Sequence, residues 1–319
     1  MSPTVGIVVL SWNGGAQTIA CVESLRVQDY RDKFIVLVDN QSQPEERAAL
    51  LRRYGDDPDV QCCFLDDNRG YAGGINAGLA AALDRQADLV AVVTQDVTFS
   101  SGALGLMVAA AADARVGIVG PQVIDTGNPR RVQSVGERVH VPLLCVPRTW
   151  LRYRRHRRAP YTVGGVLGCA MVLTRPCLQA VGGFDETFFA YYEEVDLCLR
   201  ARQRGFLIVC APQAVVMHDG MRGFAAGFTA LSAELKARNL IRLLRRWARP
   251  LDYLLLAPTY VLLMACSVAL YAGRRRGDVV AALLRGAGAG LRDRGGVPES
   301  LAAGRGDLLA PSPSRRGPG

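Results

Sequence analysis

The 319-residue sequence contains no Cys-x-x-Cys pair, no glycine at every third position and no internal repeat of about 20–50 residues. The missing glycine period excludes collagen, and the missing repeat excludes solenoids and propellers. Its nine cysteines are scattered, apart from the adjacent Cys62 and Cys63, which argues against a zinc site or a disulfide framework. No secretory signal precedes the first strand-like run, so we expect buried, reduced thiols in a cytosolic compartment.

The composition is that of a globular protein with an uneven charge. Half of the residues are hydrophobic and 21% are charged, which excludes a mainly disordered chain and suits one large or two small domains. The net charge of +9 combines −6 over residues 1–100, +4 over residues 101–200 and +11 over residues 201–319. A basic C-terminal third indicates an anionic partner there, either a membrane or a nucleic acid.

Short apolar runs alternate with helical patterns through the first 126 residues. This alternation predicts an α/β fold, in which helices cover both faces of a mostly parallel sheet. Ligands of such sheets bind at the carboxyl ends of the strands. The strand-like runs are Val5–Leu10, Phe34–Val38, Val60–Leu65, Leu89–Val93 and Val116–Val119.

Composition divides the rest of the chain into four further parts. Residues 127–163 are interrupted by prolines and contain the basic run Arg148–Arg158, which predicts a loop excursion that is either solvated surface or an anion-binding segment. Residues 164–230 return to a regular pattern, with a helix over Glu193–Arg204 and short strands over Leu207–Cys210 and Ala214–Met217. Residues 231–299 are helical, and residues 300–319 have the composition of a disordered tail.

The helical part pairs a basic amphipathic helix, Leu231–Arg249, with the apolar segment Leu251–Ala272. The apolar segment is long enough to span a bilayer, but both flanks are basic, and Pro258 is expected to interrupt the helix. We therefore expect a peripheral or re-entrant segment against an anionic membrane surface, with an oligomer contact as the alternative. Nucleic acid is disfavoured as a partner because aromatic residues are not interleaved with the arginines.

Polar residues follow the predicted strands. Ser11 and Asn13 follow the first strand, and Asp39 follows the second, where an acid commonly accepts hydrogen bonds from a ribose. The Gly-x-Gly-x-x-Gly fingerprint of NAD-binding domains is missing after the first strand, which disfavours an oxidoreductase. The glycine-rich segment 68–78 either lets the backbone approach a phosphate or serves close helix packing.

Acidic residues and one histidine follow later strands. Asp96 is a candidate ligand of a hard cation or a helix cap, and His218 is a candidate ligand or a structural histidine. Glu193 and Glu194 begin a predicted helix with Asp196, and this crowding of carboxylates indicates a functional site. For Asp196, an ordinary helix pair with Arg200 is the competing interpretation.

These residues, taken in order, resemble the motifs of family 2 glycosyltransferases of the GT-A fold, in particular the bacterial rhamnosyl- and galactofuranosyltransferases. The resemblance covers roughly residues 4–245. It rests on Ser11-Trp12-Asn13, Val38-Asp39-Asn40, Asn68-x-Gly70-Tyr71-Ala72-x-Gly74-x-Asn76-x-Gly78, Gln95-Asp96, Gly182-Gly183-Phe184-Asp185-Glu186, Glu193-Glu194-Val195-Asp196 and His218.

The resemblance implies an inverting transfer of a sugar from a nucleotide diphospho-sugar, assisted by a divalent cation (Mg or Mn). Residues 1–126 would bind the donor, and residues 164–230 the acceptor. By resemblance, the donor would contact Ser11, Asn13, Asp39, Arg69, Gly74, Asn76 and Gln95, and the metal would be held by Asp96 and His218. Glu194 would be the general base, with Glu193 as its competitor, and Asp185 and Glu193 would hold acceptor hydroxyls.

Two positions depart from the pattern of this family. Thr94-Gln95-Asp96 has one acid where the family has Asp-x-Asp, and the base position has Glu194 where aspartate is usual. A second hypothesis is therefore a non-catalytic, membrane-bound GT-A scaffold that binds nucleotide sugar without turnover. The resemblance further implies a lipid-linked or polysaccharide acceptor at the cytoplasmic face of a bacterial plasma membrane, and deoxythymidine-diphosphate rhamnose as the first choice of donor.

Overall fold

The computed structural model describes residues 2–144, 158–219, 228–298 and 301. Most of the basic run Arg148–Arg158 and nearly all of the predicted tail 300–319 lie outside the described residues.

One sheet of ten strands forms the centre of the fold. The strands are β1 Val5–Ser11, β2 Lys33–Asp39, β3 Val60–Phe64, β4 Leu89–Thr94, β5 Val97–Phe99, β6 Val116–Asp125, β7 Asn128–Ser134, β8 Tyr161–Thr162, β9 Ala170–Thr174 and β10 Leu207–His218. Their order is β3-β2-β1-β4-β9-β6-β10-β5, with β7 beside β6 and β8 beside β10.

Helices cover both faces of this sheet and continue beyond it at the C-terminal side. They are α1 Gly15–Arg26, α2 Pro44–Tyr54, α3 Gly70–Asp84, α4 Ala103–Ala110, α5 Arg175–Val181, α6 Glu193–Gln203, α7 Ala230–Trp247, α8 Tyr253–Gly273 and α9 Gly277–Leu291.

The α/β sheet with flanking helices predicted from the sequence is confirmed. Strands β3, β2, β1 and β4 are all parallel, and their β-branched side chains feed one apolar core on each face. Beyond β4 the sheet is mixed, because β9 runs antiparallel between β4 and β6. Strand β10 is parallel to β6, so its last residue, His218, reaches the same edge as the ends of the parallel strands.

Three features differ from the sequence-based expectations. The short strands predicted over Leu207–Cys210 and Ala214–Met217 are one strand, β10, which passes through a register shift between Ala211 and Val215. Strands β7 and β8 occupy part of the predicted loop excursion 127–163, where a run of exposed residues in β7 and the two-residue length of β8 gave no strand signal. Cys266 is exposed, although the other described cysteines are free thiols in buried or half-buried positions, as expected.

Pro258 does not interrupt the apolar helix, so the expectation of a break there is wrong. Helix α8 continues through it, and the Thr259 hydroxyl donates to the carbonyl oxygens of Leu255 (2.7 Å) and Leu256 (3.0 Å) beside the position where the proline removes a donor. Within the described residues, Pro250–Gly273 is the one segment long and apolar enough to cross a membrane.

Helix α8 packs along its length on α7 and α9 through one face. Leu256 and Tyr271 are buried at its two ends, and half-buried apolar side chains lie between them. Helices α7 and α9 touch closely, because a Cβ at Gly286 would lie 2.1 Å from the carbonyl oxygen of Glu234. The outer face of α8 is apolar and exposed, and includes Leu254, Leu255, Val261, Leu262 and Leu270.

Candidate active site

Four of the seven sequence-predicted donor residues lie at the carboxyl ends of β1, β2 and β4: Ser11, Asn13, Asp39 and Gln95. The register pairs Ser11 with Asp39 and Leu10 with Thr94, so the loops that follow these three strands lie side by side. This edge is where ligands of parallel sheets bind.

Asp39 is buried at this edge with one oxygen engaged and one open. Its Oδ2 accepts a hydrogen bond from the Ser42 amide (3.2 Å) and pairs with Arg47 Nε (3.3 Å). Its Oδ1 is buried and finds no hydrogen-bond partner among the residues described. Because a buried acceptor without a donor costs about 1–3 kcal/mol, this oxygen is suited to accept from a ligand hydroxyl or N–H.

Side chains of the β1 and β4 loops hold these loops in place. Gln95 accepts from the Trp12 amide (2.6 Å) and donates to the Trp12 carbonyl (3.0 Å). Asn13 accepts from the Gln43 amide (2.8 Å), and the buried Ser11 hydroxyl bonds to Thr18 (2.8 Å). In the structure, Ser11, Asn13 and Gln95 therefore fix the backbone of the loops at this edge of the sheet.

The glycines of segment 68–78 serve close packing. A Cβ at Gly74 would lie 2.5 Å from Leu10 Cδ1, and one at Gly78 would lie 2.2 Å from Val8 Cγ1. Gly70 adopts φ +67° against the Phe189 carbonyl, where an L side chain is strained and has no room. The packing interpretation left open by the sequence thus accounts for these three positions.

Arg69 and Asn76 contact the loop that carries Asp185. Arg69 Nη2 pairs with Glu186 at 3.0 Å, and Asn76 Oδ1 accepts from the Phe184 amide at 2.8 Å. Asn76 Nδ2 donates to the Phe184 carbonyl (2.8 Å) and to Glu186 (3.0 Å). Both residues therefore join the start of α3 to the loop that precedes α6.

Asp96 and His218 face one another across the sheet edge, with 3.2 Å between Asp96 Oδ2 and His218 Nε2. Burial would raise the pKa of Asp96, but His218, the Thr94 hydroxyl and its own backbone amide together hold it below its usual value. No cluster of three or more His, Cys, Asp or Glu side chains suited to a metal occurs in the described part of the chain. One carboxylate and one imidazole fit a divalent cation that completes its shell with ligand and water oxygens.

Gln133 is a site residue that the sequence did not reveal. Its Nε2 donates to the His218 carbonyl oxygen (2.8 Å), and its Oε1 lies 2.8 Å from His218 Nδ1. A carbonyl oxygen only accepts, which fixes the orientation of the amide, and Nδ1 must then be the donor to Oε1. The Nδ1 proton is thereby assigned, and Nε2, which lies 3.2 Å from Asp96, is the ring nitrogen that a metal would use.

Glu193 and Glu194 are buried at the start of α6. Glu194 lies beside Gly168, whose carbonyl oxygen accepts from the Tyr71 hydroxyl at 2.6 Å. Burial, followed by the two glutamates, raises the pKa of Tyr71 well above its usual value. Because the Thr94 amide donates to the Cys169 carbonyl (3.0 Å), the segment 168–169 beside Glu194 lies next to the loop of Asp96.

The loop before α6 is strained and is held by a buried asparagine. Phe189, Tyr191 and Tyr192 have φ values of 64°, 72° and 73°, which side chains rarely adopt. Asn239 of α7 is fully buried, and its Nδ2 lies 2.8–2.9 Å from the carbonyl oxygens of Phe188, Ala190 and Tyr191. This contact places the first turn of α6.

Asp185 and Asp196 are engaged by arginines. Asp185 Oδ1 accepts from the Thr187 amide (3.0 Å), and its Oδ2 pairs with Arg246 Nη1 (2.7 Å). Asp196 is buried, pairs with Arg200 Nε (2.7 Å) and accepts from Trp247 Nε1 (2.9 Å). The ordinary helix pair expected for Asp196 is thus confirmed.

Comparisons with known proteins identify the fold and the family. The chain is 28% identical over 238 residues to an N-acetylglucosaminyl-diphospho-decaprenol L-rhamnosyltransferase of Mycobacterium tuberculosis, covering 68% of this chain and 76% of that protein. It is 23% identical over 272 residues to a hexosyltransferase of low-salt glycan biosynthesis from Haloferax volcanii, covering 83% and 85% of the two chains.

A solved structure shares the fold over most of its length. It is a mannosyltransferase of Pyrobaculum calidifontis in complex with GDP-mannose and Mn²⁺, with a TM-score of 0.58, 18% identity and coverage of 92% and 88% of the two chains. The family profile for glycosyl transferase family 2 matches residues 6–180. With the strand-end site and the GT-A architecture in place, the chain belongs to the family 2 glycosyltransferases and is a glycosyltransferase.

Proposed function

We propose that the enzyme transfers a sugar, with inversion, from a nucleotide diphospho-sugar to a hydroxyl group of a lipid-linked or polysaccharide acceptor. The observation that carries this proposal is the open, buried Oδ1 of Asp39 on the same sheet edge as the Asp96–His218 pair. The similar protein of M. tuberculosis, named as an L-rhamnosyltransferase of a decaprenol-linked sugar, supports rhamnose as the donor sugar.

We assign the general base to Glu194. It is buried at the N-terminus of α6, next to Gly168 and therefore close to the Asp96 loop. Its carboxylate would take the proton of the acceptor hydroxyl as that oxygen attacks the anomeric carbon opposite the leaving group.

Asp39 would bind the base or ribose of the donor, in a pocket shaped by Ser11, Asn13 and Gln95. Gly74, Arg69 and Asn76 would lie beside the diphosphate of the donor. Asp96 and His218 would hold a divalent cation, Mg or Mn, which when bound neutralises charge on the leaving nucleoside diphosphate. Asp185 and Glu193 would orient the acceptor hydroxyl.

Helix α8 supports a peripheral position on the cytoplasmic face of the plasma membrane. Its inner face is packed on α7 and α9 from Leu256 to Tyr271, so a transverse span would have to break these contacts. Its outer face is apolar and exposed. A helix lying in the interface buries that face without leaving α7, and Arg274–Arg276 would meet anionic headgroups.

The test is release of nucleoside diphosphate in membranes or detergent extract, with a panel of thymidine, uridine and guanosine diphospho-sugars. We expect release from one donor class, reduced by about 100- to 10,000-fold in Glu194→Gln and strongly in Asp96→Ala. Glu45→Gln, an exposed change on α2 with the same chemistry, is the matched control and should retain full activity.

The outcomes separate the assignments. If Glu194→Gln kept its activity while Asp96→Ala lost it, the base would be Glu193 or Asp185. Tight donor binding without release of nucleoside diphosphate, even with lipid-linked acceptors, would contradict catalysis. The protein would then be a scaffold that binds nucleotide sugar.

A further inference from the structure

After α9 ends at Leu291, the chain returns to the loop that carries Asp185. Residues 293–297, here named the C-terminal strap, form no helix or strand; four of them are exposed and Gly296 is half-buried. Because so little of the strap is buried, apolar packing contributes little to its position. Hydrogen bonds and one ion pair place it instead.

The strap contacts the loop at Thr187. The Gly296 amide donates to the Thr187 carbonyl oxygen at 2.7 Å. Thr187 in turn donates to Asp185 Oδ1 through its amide (3.0 Å) and its hydroxyl (2.5 Å). Gly296 adopts φ +79°, a left-handed conformation that is reached most readily by glycine and next by asparagine. Thr187 therefore links the strap directly to the carboxylate of Asp185.

Arg242 of α7 binds both the strap and the loop. Its Nη1 pairs with Asp293 Oδ1 at 3.1 Å, and its Nε donates to the Thr187 hydroxyl at 3.0 Å. A Cβ at Gly295 would lie 2.8 Å from Arg242 Nη1 and 3.0 Å from Thr187 Cβ, so the three segments are in close contact there. The strap, α7 and the loop thus form one network centred on Thr187.

Arg238 of α7 joins the strap and the loop from inside the protein. It is 3% exposed, and its Nη1 and Nη2 donate to the carbonyl oxygens of Gly296 and Phe188, each at 2.8 Å. Burial, followed by Arg242, lowers the pKa of Arg238 to about 10, although Glu234 opposes the shift. The guanidinium group therefore stays charged at neutral pH.

The buried charge of Arg238 adds little to folding stability. Within the residues that the structure describes, no carboxylate forms an ion pair with it, and Glu234 of the same helix pairs with Arg285 at 3.3 Å. Replacing a buried charge by an apolar side chain of similar length is often neutral or stabilising. What the guanidinium group supplies is the pair of hydrogen bonds to the strap and the loop.

We propose that the C-terminal strap is part of the acceptor half of the active site, with Arg238 and Arg242 as positioning residues that tie it to the loop of Asp185. The inference rests on the proposed function, in which Asp185 orients the acceptor hydroxyl. It differs from the role of Asn239, which places the first turn of α6. The competing explanation is that the strap only ends α9, which predicts an effect on stability and none on the loop.

The test combines hydrogen–deuterium exchange of residues 185–191 in the full chain with kcat and donor KM for nucleoside diphosphate release. Gly296→Pro removes the N–H that binds Thr187 and cannot adopt the left-handed φ. We expect exchange in the loop to rise by about tenfold. We expect kcat to fall by about 10- to 100-fold, with donor KM within about twofold of wild type. Gly296→Asn keeps the N–H, tolerates this φ and meets open space, so it should behave like wild type.

Arg238→Met separates positioning from folding. It keeps an unbranched side chain but removes the donors to Gly296 and Phe188. We expect the same rise in loop exchange and the same fall in kcat, with an unchanged or higher urea midpoint. Arg52→Met, an exposed change on α2, is the matched control and should match wild type in all three measurements.

Two results would overturn the proposal. One is unchanged loop exchange in Gly296→Pro and Arg238→Met, including the case in which only the urea midpoint falls. The other is raised loop exchange with an unchanged kcat. A wild type that released no nucleoside diphosphate would overturn the proposed function alone, because loop exchange would still decide whether the strap positions Asp185.

Discussion

Gln133 contacts His218 twice, through the imidazole Nδ1 and through the backbone carbonyl, each at 2.8 Å. The pair joins β7 to the end of β10 and turns the other imidazole nitrogen, Nε2, toward Asp96. A partner of this kind commonly changes metal affinity by about 10- to 100-fold.

Replacing Gln133 by leucine should weaken Mn²⁺ binding by about 10- to 100-fold, because the imidazole loses the acceptor that orients it. Titration of Mn²⁺ by electron paramagnetic resonance gives this affinity without turnover. Gln61→Leu, an exposed change on β3, is the control. Equal affinities would show that His218 needs no support or binds no metal.

Asn239→Ala should lower kcat with little change in donor affinity. It removes the donor to three carbonyl oxygens of the strained loop, so Glu193 and Glu194 lose their placement while Asp39 is untouched. We also expect a loss of about 1–3 kcal/mol in the free energy of unfolding. Steady-state kinetics with donor titration and urea unfolding measure both. A change in donor affinity alone would contradict this role.

Asp39→Asn should reduce donor affinity by about 10-fold or more, since a hydrogen bond to a charged acceptor is worth about 1.5–3 kcal/mol. Calorimetric titration with the nucleoside diphosphate measures the effect. Asp56→Asn removes an exposed carboxylate and should bind normally. If both variants bound the nucleoside diphosphate equally well, Asp39 at the end of β2 would not be a nucleotide contact.

The stabilisation from Asp185 should depend on pH in a defined direction. Burial would raise the pKa of its carboxyl, but Thr187, Arg246 and Arg242 together hold it below its usual value. Because this pKa is lower in the folded state than in the unfolded state, ionisation of Asp185 stabilises the fold. The stabilisation is complete above the ordinary carboxyl pKa of about 4, and it is lost as the pH falls through the folded-state pKa. Wild type should exceed Asp185→Asn in urea midpoint by a constant amount at neutral pH. That difference in urea midpoint should shrink in acid. A difference that grew in acid would contradict the lowered pKa of Asp185.

Acidic substitutions on the outer face of α8 should abolish membrane binding while leaving the fold intact. Leu254 and Val261 are 79% and 65% exposed, so Leu254→Asp/Val261→Asp breaks no internal packing. Flotation with anionic vesicles measures binding. Leu51→Asp changes an exposed leucine on α2 and should float like wild type. Unimpaired flotation of the α8 variant would place the lipid contact elsewhere.

The sequence predicts the parallel half of the sheet well, because Val5–Ser11, Lys33–Asp39 and Leu89–Thr94 are mostly apolar, rich in β-branched residues and end in polar residues. It misses β7, whose residues are mostly exposed and lie at the side of β6. Gln133, which lies in β7, was missed as well. Its role depends on a contact with His218, 85 positions away in the chain. Asn239 was missed as well. It lies in α7, whose amphipathic pattern predicts which side chains are buried but not that one of them contacts the loop before α6.

Helix α6 begins with Glu193 and Glu194, and its Asp196 accepts a hydrogen bond from Trp247 Nε1 of α7 at 2.9 Å. A continuous helix moves as one body, so a displacement of α7 would be transmitted to both glutamates. The C-terminal helices and the two carboxylates of α6 are thus mechanically coupled.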